Sequence, residues 1–208
     1  MKEIAKILLD IEAVTLSPKE PYTWASGIKS PIYCDNRLTL SYPEEREVIE
    51  EEFSKLIMEK FPQVEYIMAT ATAGIPHGAI IAHKLNLPMG FVRGSKKDHG
   101  KNNRIEGKRI PGAKVVVVED LFSTGGSSID VYKALQDEGY DVLGIVSIFT
   151  YNLKKAEENF KKENIVHYSL SDFDELAEVA MEKSYIEKEE LEKIKKWKEN
   201  PDDESWLQ

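Results

Sequence analysis

One stretch of the chain, KVVVVEDLFSTGGSS at 114–128, limits the possible folds more than any other. Four consecutive valines are typical of a strand that is buried on both faces, and the small residues that follow are typical of a turn. The pattern SSIDVYKALQDEG then predicts a helix that is closed by Gly139. The stretch therefore predicts a strand, a tight turn and a helix in direct succession.

Other apolar runs repeat this arrangement. YIMAT, LPMGFVR and DVLGIVSIF read as strands, IVHYSL reads as a further short strand, and HGAIIAHKL lies between two of them as a helix. Strands that are continuous apolar runs, alternating with helices, indicate a sheet that is covered on both faces. We predict an α/β fold with a central, mostly parallel sheet flanked by helices.

The acid pair Glu119 and Asp120 directly follows the valines. Two adjacent carboxylates repel each other, and burying either one without a partner is costly. We therefore expect both to lie where the apolar run ends and the surface begins, facing a group that is attracted by negative charge.

The turn after the acid pair has the composition of a phosphate site. Glycines let backbone N–H groups approach a ligand, the helix start adds partial positive charge, and hydroxyls add donors. Neighbouring carboxylates suit ribose hydroxyls or a metal ion, so a phosphorylated sugar is the ligand implied. The alternative is an ordinary strand-to-helix turn. The residues of the predicted cradle are Ser123, Thr124, Gly125, Gly126 and Ser127.

Charge and composition narrow the class of protein. The 208 residues carry a net charge of −9, yet the segment 93–109 holds seven basic and two acidic residues. This distribution disfavours nucleic acid as a partner and favours a small anionic ligand. The chain has one cysteine and no apolar run of about 20 residues, so we expect a cytoplasmic protein without a membrane span. We predict one domain, with an N-terminal segment mainly at 14–40, a core at about 41–170 and a charged helical tail at about 172–208.

Four motifs carry a resemblance to a known family. VVVVEDLFSTGGS at 115–127 resembles the signature for phosphoribosyl pyrophosphate (PRPP) in type I phosphoribosyltransferases. FVRGSKKDHGKNNRIEG at 91–107 is similar to the mobile catalytic loop of orotate phosphoribosyltransferases. WASGIKSPIYCDNR at 24–37 resembles their hood segment, and TATAGIPHG at 70–78 resembles their pyrophosphate loop. The bacterial enzymes of the Gram-positive type are the most similar.

This resemblance implies a type I phosphoribosyltransferase fold with a small N-terminal hood. It also implies transfer of the phosphoribosyl group from PRPP to orotate, giving orotidine 5′-monophosphate and pyrophosphate in the biosynthesis of UMP. Mg²⁺ is the implied cofactor, bound through PRPP, with Asp120 as a candidate ligand. The implied assembly is a homodimer in which the loop 94–107 reaches the neighbouring site.

The resemblance also assigns residues. The implied catalytic residues are Lys97, His99 and Asp120. The PRPP contacts implied are Arg93, Lys97, His99, Glu119, Asp120, Leu121, Phe122, Ser123, Thr124, Gly125, Gly126, Ser127, Thr72 and Ala73. The orotate contacts implied are Ser123, Lys29, Tyr33 and Cys34.

The chain departs from the family pattern at several cationic positions. Ala25, Ala73 and Gly94 stand where some members have lysine, and an arginine used by some members is replaced near Tyr151. Two other functions remain open: a phosphoribosyltransferase for another base, and a regulator that senses PRPP without consuming it.

Two further features receive structural interpretations. We expect His77 to have a structural or surface role, because no second ligand is spaced to form a metal site with it. The sequence leaves open whether Trp197 and Trp206 in the tail pack onto the body of the protein or lie loose.

Overall fold

The computed structural model describes residues 2–24, 26–94 and 104–207. The chain begins with helix α1 (Lys2–Asp10), which is followed by four short strands: β1 (Val14–Leu16), β2 (Tyr22–Thr23), β3 (Lys29–Ser30) and β4 (Ile32–Cys34). Strand β1 pairs with β4, and β2 pairs with β3, both in antiparallel fashion. A 3-10 helix (Asn36–Ser41) then leads into the core. We call residues 14–40 the hood.

A sheet of six strands forms the centre of the molecule. Its order is β10-β9-β8-β5-β6-β7, and every strand is parallel to its neighbour except the two-residue edge strand β7. The α/β fold class predicted from the sequence is confirmed. The elements are α2 (Pro43–Lys60), β5 (Tyr66–Thr70), α3 (Gly74–Leu85), β6 (Met89–Val92), β7 (Ile105–Glu106), β8 (Lys114–Phe122), α4 (Gly126–Asp137), β9 (Asp141–Thr150), α5 (Lys154–Lys162) and β10 (His167–Asp172).

The four valines of β8 explain why this strand is central. Their side chains alternate between the two faces of the sheet, as the pleat of a strand requires. Val116 and Val118 belong to the core cluster shared with α2 and α3, whereas Val115 and Val117 belong to the cluster shared with α4 and α5. All four are fully buried, so the continuous apolar run reflects a sheet with helices on both faces.

Two element boundaries differ from the sequence prediction. Helix α3 begins at Gly74, three residues before the predicted start, because proline is tolerated in the first turn of a helix and Pro76 lies there. Strand β8 continues to Phe122, because its pairing with β9 extends past the valines to Thr150. The strand predicted over KVVVVED is therefore two residues longer, and the acid pair lies within it as predicted.

The tail folds as a pair of helices, α6 (Phe173–Glu182) and α7 (Lys188–Glu199), and ends in a short 3-10 helix (Ser205–Leu207). Trp197 and Trp206 are both buried, which settles the question that the sequence left open. Both belong to the core cluster that also includes Ile32 of the hood. Within the described ranges, every helix is too short or too polar to cross a membrane.

Candidate active site

Glu119 lies almost entirely inside the protein, with 5% of its surface exposed. The expectation that both acids would lie at the surface was therefore wrong for Glu119. The backbone N–H of Asp120 donates to Glu119 Oε1 at 3.0 Å, and the Ser128 hydroxyl donates to Oε2 at 3.3 Å. Burial, together with the hydrogen bond and the charge of the neighbouring Asp120, raises the pKa of Glu119 to about 8. Glu119 avoids the cost of a buried charge by keeping its proton at neutral pH.

This protonation predicts how stability changes with pH. The unfolded chain releases the Glu119 proton near the ordinary pKa of 4.5, whereas the folded chain keeps it up to about pH 8. Between these values the folded state binds more protons, so the contribution of Glu119 to stability falls as the pH rises. Glu119→Gln removes this titration. The unfolding free energy of the variant minus that of the wild type should therefore be about 3 kcal/mol larger at pH 8 than at pH 5.5.

Urea titrations of both proteins at the two pH values measure this difference. Glu175→Gln is the comparison variant: burial also raises the pKa of Glu175, at the start of α6, but by less, so its replacement should give a smaller difference in the same direction. A neutral Glu119 would be contradicted if the unfolding free energies of the wild type and Glu119→Gln differed by the same amount at pH 5.5 and at pH 8.

Asp120 is partly exposed and remains available to a ligand. Its main-chain carbonyl accepts a hydrogen bond of 2.7 Å from the side chain of Asn36, which is itself 1% exposed. Asn36 thereby joins the hood to the acid pair. Sequence analysis did not single out Asn36, because its partner lies 84 residues away and no local pattern reports such a contact. The one available signal was its place in the hood motif.

The predicted cradle lies between β8 and the N-terminus of α4. Gly125 has a φ of +77°, which strains any other residue, and a Cβ at this position would lie in tight contact, 3.0 Å from the Phe160 ring. Asn159 donates to the carbonyl of Thr124 at 2.9 Å and thereby fixes the turn. Gly125 has no side chain with which to cap α4, and Thr124, Gly126 and Ser127 are exposed. The turn thus presents hydroxyls and a helix N-terminus to an anion.

Phe122, one of the predicted PRPP contacts, directs its side chain away from the cradle. Its ring packs against Phe160 and His167, with ring centroids 5.1 and 5.8 Å apart, and is 1% exposed. Its carbonyl accepts from the backbone N–H of Tyr151 at 3.1 Å. An aromatic residue at this position therefore serves the core. Leu121 is partly buried against the other core cluster.

The loop with Thr72 and Ala73 follows β5, the strand next to β8. Ala71 donates from its backbone to the carbonyl of Val92 at 2.9 Å. Gly74 then passes so close to β8 that a Cβ would lie 2.5 Å from the carbonyl oxygen of Val118. This close approach brings the loop beside the residue that precedes Glu119.

Arg93 directly follows β6, the neighbour of β5 on the far side from β8. Its side chain forms an ion pair of 3.1 Å with Glu106 of β7, and its backbone N–H donates to the carbonyl of Arg104 at 2.9 Å. Arg104 in turn pairs with Asp130 of α4. Lys97 and His99, the predicted catalytic pair of the loop, lie outside the described residues.

The predicted acceptor residues of the hood lie in two hairpins. Lys29 is in β3, and its ammonium group donates to the Thr23 hydroxyl at 2.7 Å. Tyr33 and Cys34 are in β4, where the Tyr33 side chain is 46% exposed. Burial raises the pKa of the Cys34 thiol well above its usual range, and the negative charge of Asp120 adds to this shift. Cys34 and the acid pair therefore share one environment.

The remaining histidine prediction concerns His77. It is fully buried in α3, and its Nδ1 lies 2.5 Å from Glu50 Oε1, also fully buried, in α2. Burial raises the pKa of Glu50. This pair joins α2 to α3, the helix that follows the predicted pyrophosphate loop. It agrees with the structural role that the sequence favoured for His77.

The fold and the cradle can now be compared with known proteins. Residues 41–184 match the model of the phosphoribosyl transferase domain, and the chain belongs to the phosphoribosyltransferase family. It is 58% identical to an orotate phosphoribosyltransferase of Staphylococcus haemolyticus, over 96% of this chain and 98% of that protein. It is 57% identical to that of Bacillus subtilis, over 98% and 94%. Within the family, the chain groups with the orotate phosphoribosyltransferases, and the resemblance read from the four motifs is confirmed.

Solved structures agree with this fold at much lower identity. The chain superposes on the orotate phosphoribosyltransferase of Aeropyrum pernix with a TM-score of 0.77 at 24% identity, covering 88% of this chain and 99% of that one. The Leishmania donovani UMP synthase gives a TM-score of 0.79 at 23% identity, covering 94% and 41%. The fold is thus shared by proteins whose sequences have diverged widely.

Proposed function

We propose that this protein transfers the phosphoribosyl group of PRPP to orotate, forming orotidine 5′-monophosphate and pyrophosphate. The observation that carries the proposal is the adjacency of a partly exposed Asp120, a neutral Glu119 and a glycine turn at the N-terminus of α4. This arrangement suits a ribose 5-phosphate, with the phosphate on the turn and the hydroxyls on the acid pair. The names of the bacterial relatives support orotate as the acceptor and a place in pyrimidine biosynthesis.

The donor is held by three loops at the carboxyl ends of neighbouring strands. Ser123, Thr124, Gly125, Gly126 and Ser127 bind the 5′-phosphate, and the main chain at Leu121 and Phe122 borders it. Thr72 and Ala73 contact the pyrophosphate, and Arg93 adds a positive charge near it. Parallel strands bring their carboxyl ends to one edge of the sheet, which is why residues 50 positions apart converge there.

Transfer from PRPP builds positive charge on the ribose ring carbon and negative charge on the departing pyrophosphate. The Asp120 carboxylate stabilises the positive charge, and we assign Lys97 and His99 to the pyrophosphate oxygens, as cation and proton donor. A neutral Glu119 donates a hydrogen bond to a ribose hydroxyl, or accepts one from it, without adding a second repelling charge beside Asp120.

The residues present fit Mg²⁺ as a partner of the substrate. The described part of the chain has no group of three or more His, Cys, Asp or Glu residues that could hold a metal. Mg²⁺ commonly takes one or two carboxylates together with substrate phosphates and water, and Asp120 offers a hard oxygen ligand beside the cradle. When bound, the ion would neutralise pyrophosphate charge.

The acceptor lies between the cradle and the hood in this proposal, with Ser123, Lys29, Tyr33 and Cys34 as its contacts. We further propose a homodimer in which the loop 94–107 reaches the neighbouring site. The single cysteine supports a reducing cytoplasm as the compartment.

The test is to incubate the purified protein with PRPP, Mg²⁺ and orotate, and to follow the loss of orotate absorbance and the release of pyrophosphate together. Equal amounts of both are expected. Pyrophosphate release with another base but not with orotate would show that the acceptor is that base and not orotate. Binding of PRPP without its consumption would indicate a regulator that senses PRPP and not an enzyme.

A further inference from the structure

Two segments outside the residues that match the family model pack onto each other. The match covers 41–184, whereas the hood occupies 14–40 and α7 begins at Lys188. Lys19 of the hood pairs with Glu190 of α7 at 3.2 Å, and the core cluster includes hood and α7 residues together. The tail therefore meets the hood, which supplies Lys29, Tyr33 and Cys34 as acceptor contacts in our proposed function.

Trp197 is the main contact between the two segments. Its side chain is fully buried, and its indole N–H donates to the main-chain carbonyl of Lys29 at 3.0 Å. The ring meets Trp24 of the hood edge-on, with centroids 5.5 Å apart. A buried indole whose N–H has a hydrogen-bond partner is held in one orientation, because both the packing of the ring and the hydrogen bond are lost if it turns.

The same ring connects the hood to the acid pair. Trp197 lies edge-on to Tyr151, with centroids 6.2 Å apart, and Tyr151 is tilted against Trp24 at 5.0 Å. Tyr151 donates from its backbone to the carbonyl of Phe122, the last residue of β8. Burial raises the pKa of Tyr151, and its neighbours Cys34 and Tyr33 raise it further. An aromatic cluster thus joins the tail, the hood and the strand that leads to the cradle.

A cavity of about 480 Å³ marks the place where these parts meet. Trp24 and Ile28 of the hood form one wall, and Thr124 of the cradle forms another. The end of α7 and the residues after it, 198–202, close a third side. The position of α7 therefore affects the space between the hood and the phosphate turn.

We propose that Trp197 is a positioning residue for the acceptor: by holding the Lys29 carbonyl it fixes the β2–β3 hairpin and so sets the affinity for the acceptor base, with a much smaller effect on the donor cradle. The inference rests on the proposed function for the identity of the acceptor. The cradle is held by other contacts: the hydrogen bond from Asn159 to the Thr124 carbonyl and the conformation of Gly125. Trp197 takes no direct part in either.

Trp197→Phe removes the N–H and keeps a ring in the cluster. Trp206→Phe is the matched control, because Trp206 is also buried in the tail but its indole nitrogen has no hydrogen-bond partner in the described ranges. We expect Trp197→Phe to raise the KM for orotate about 5- to 10-fold, with the KM for PRPP changed less than 2-fold. Trp206→Phe should leave both KM values within 2-fold of the wild type.

Hydrogen exchange of the unliganded proteins separates this inference from the proposed function. We expect amides at 22–30 to exchange faster in Trp197→Phe than in Trp206→Phe, whichever base the enzyme accepts. If Trp197→Phe does not fold, 3-benzothienylalanine at position 197 keeps the shape and removes only the N–H. Unchanged exchange at 22–30 overturns the inference, as does an equal rise in both KM values. If the wild-type protein does not use orotate as a substrate, the proposed function is overturned. The hydrogen-exchange result then decides the role of Trp197 by itself.

Discussion

Asp120→Asn is expected to lower kcat about 100-fold, while the KM for PRPP changes only a few-fold. Asparagine has nearly the same shape as aspartate, so the hydrogen bond from Asn36 to the main-chain carbonyl of residue 120 should persist. What is lost is the negative charge beside the developing positive charge of the ribose ring. An interaction that strengthens only in the transition state affects kcat more than substrate binding. Steady-state kinetics with both substrates varied will measure the two constants.

Asp141→Asn is the control for this experiment. Asp141 is exposed at the amino end of β9, the strand that pairs with β8, and therefore lies at the opposite edge of the sheet from the cradle. Its replacement makes the same change of charge and should leave kcat unchanged. If Asp120→Asn raised the KM for PRPP 100-fold at constant kcat, Asp120 would be a ground-state contact and not a stabiliser of the transition state.

Gly74→Ala should weaken PRPP binding at least tenfold and lower the unfolding free energy by about 1–3 kcal/mol. The added Cβ would lie 2.5 Å from the carbonyl oxygen of Val118, a backbone atom that cannot rotate away. Helix α3 must then move off β8, and it carries Thr72 and Ala73 away from the acid pair. Isothermal titration with PRPP and urea unfolding will measure the two effects separately.

Gly144→Ala distinguishes distortion of the site from overpacking in general. A Cβ at Gly144 would lie 2.5 Å from the Phe61 ring and 2.7 Å from the Val166 carbonyl, so its clash is comparable. Gly144 pairs with Val116 in the first half of β8, away from the strand end that bears the acids. We expect a similar loss of stability with unchanged PRPP affinity. Equal losses of PRPP affinity in both variants would refute a specific role for the contact between Gly74 and β8.

The sequence predicted the sheet because its signals are local. The valines of β8 and the apolar runs of β5, β6 and β9 each report a strand buried on both faces, and the turn residues report where each strand ends. The same holds for the cradle, since Gly125 and its neighbours are contiguous. The family resemblance added the assignment of loops that no periodicity could supply.

What the sequence could not supply depends on contacts between distant residues. Asn36 reaches Asp120 across 84 positions, and the burial of Glu119 depends on how far β8 pairs with β9. The expectation of two surface acids followed from the cost of burying charge, and it failed because Glu119 lowers that cost by staying protonated. Protonation of this kind depends on the three-dimensional surroundings and leaves no trace in a local pattern.

The bond between Trp197 and Lys29 spans 168 positions, and this separation has a consequence for the order in which the protein is made. A chain emerging from the ribosome completes the cradle strand and turn by residue 127, long before α7 exists. Domains generally fold as units during synthesis, so the complete structure of this domain requires α7 as well as the cradle. The hood, although it precedes the cradle in the chain, therefore gains its Trp197 anchor only after α7 has been made.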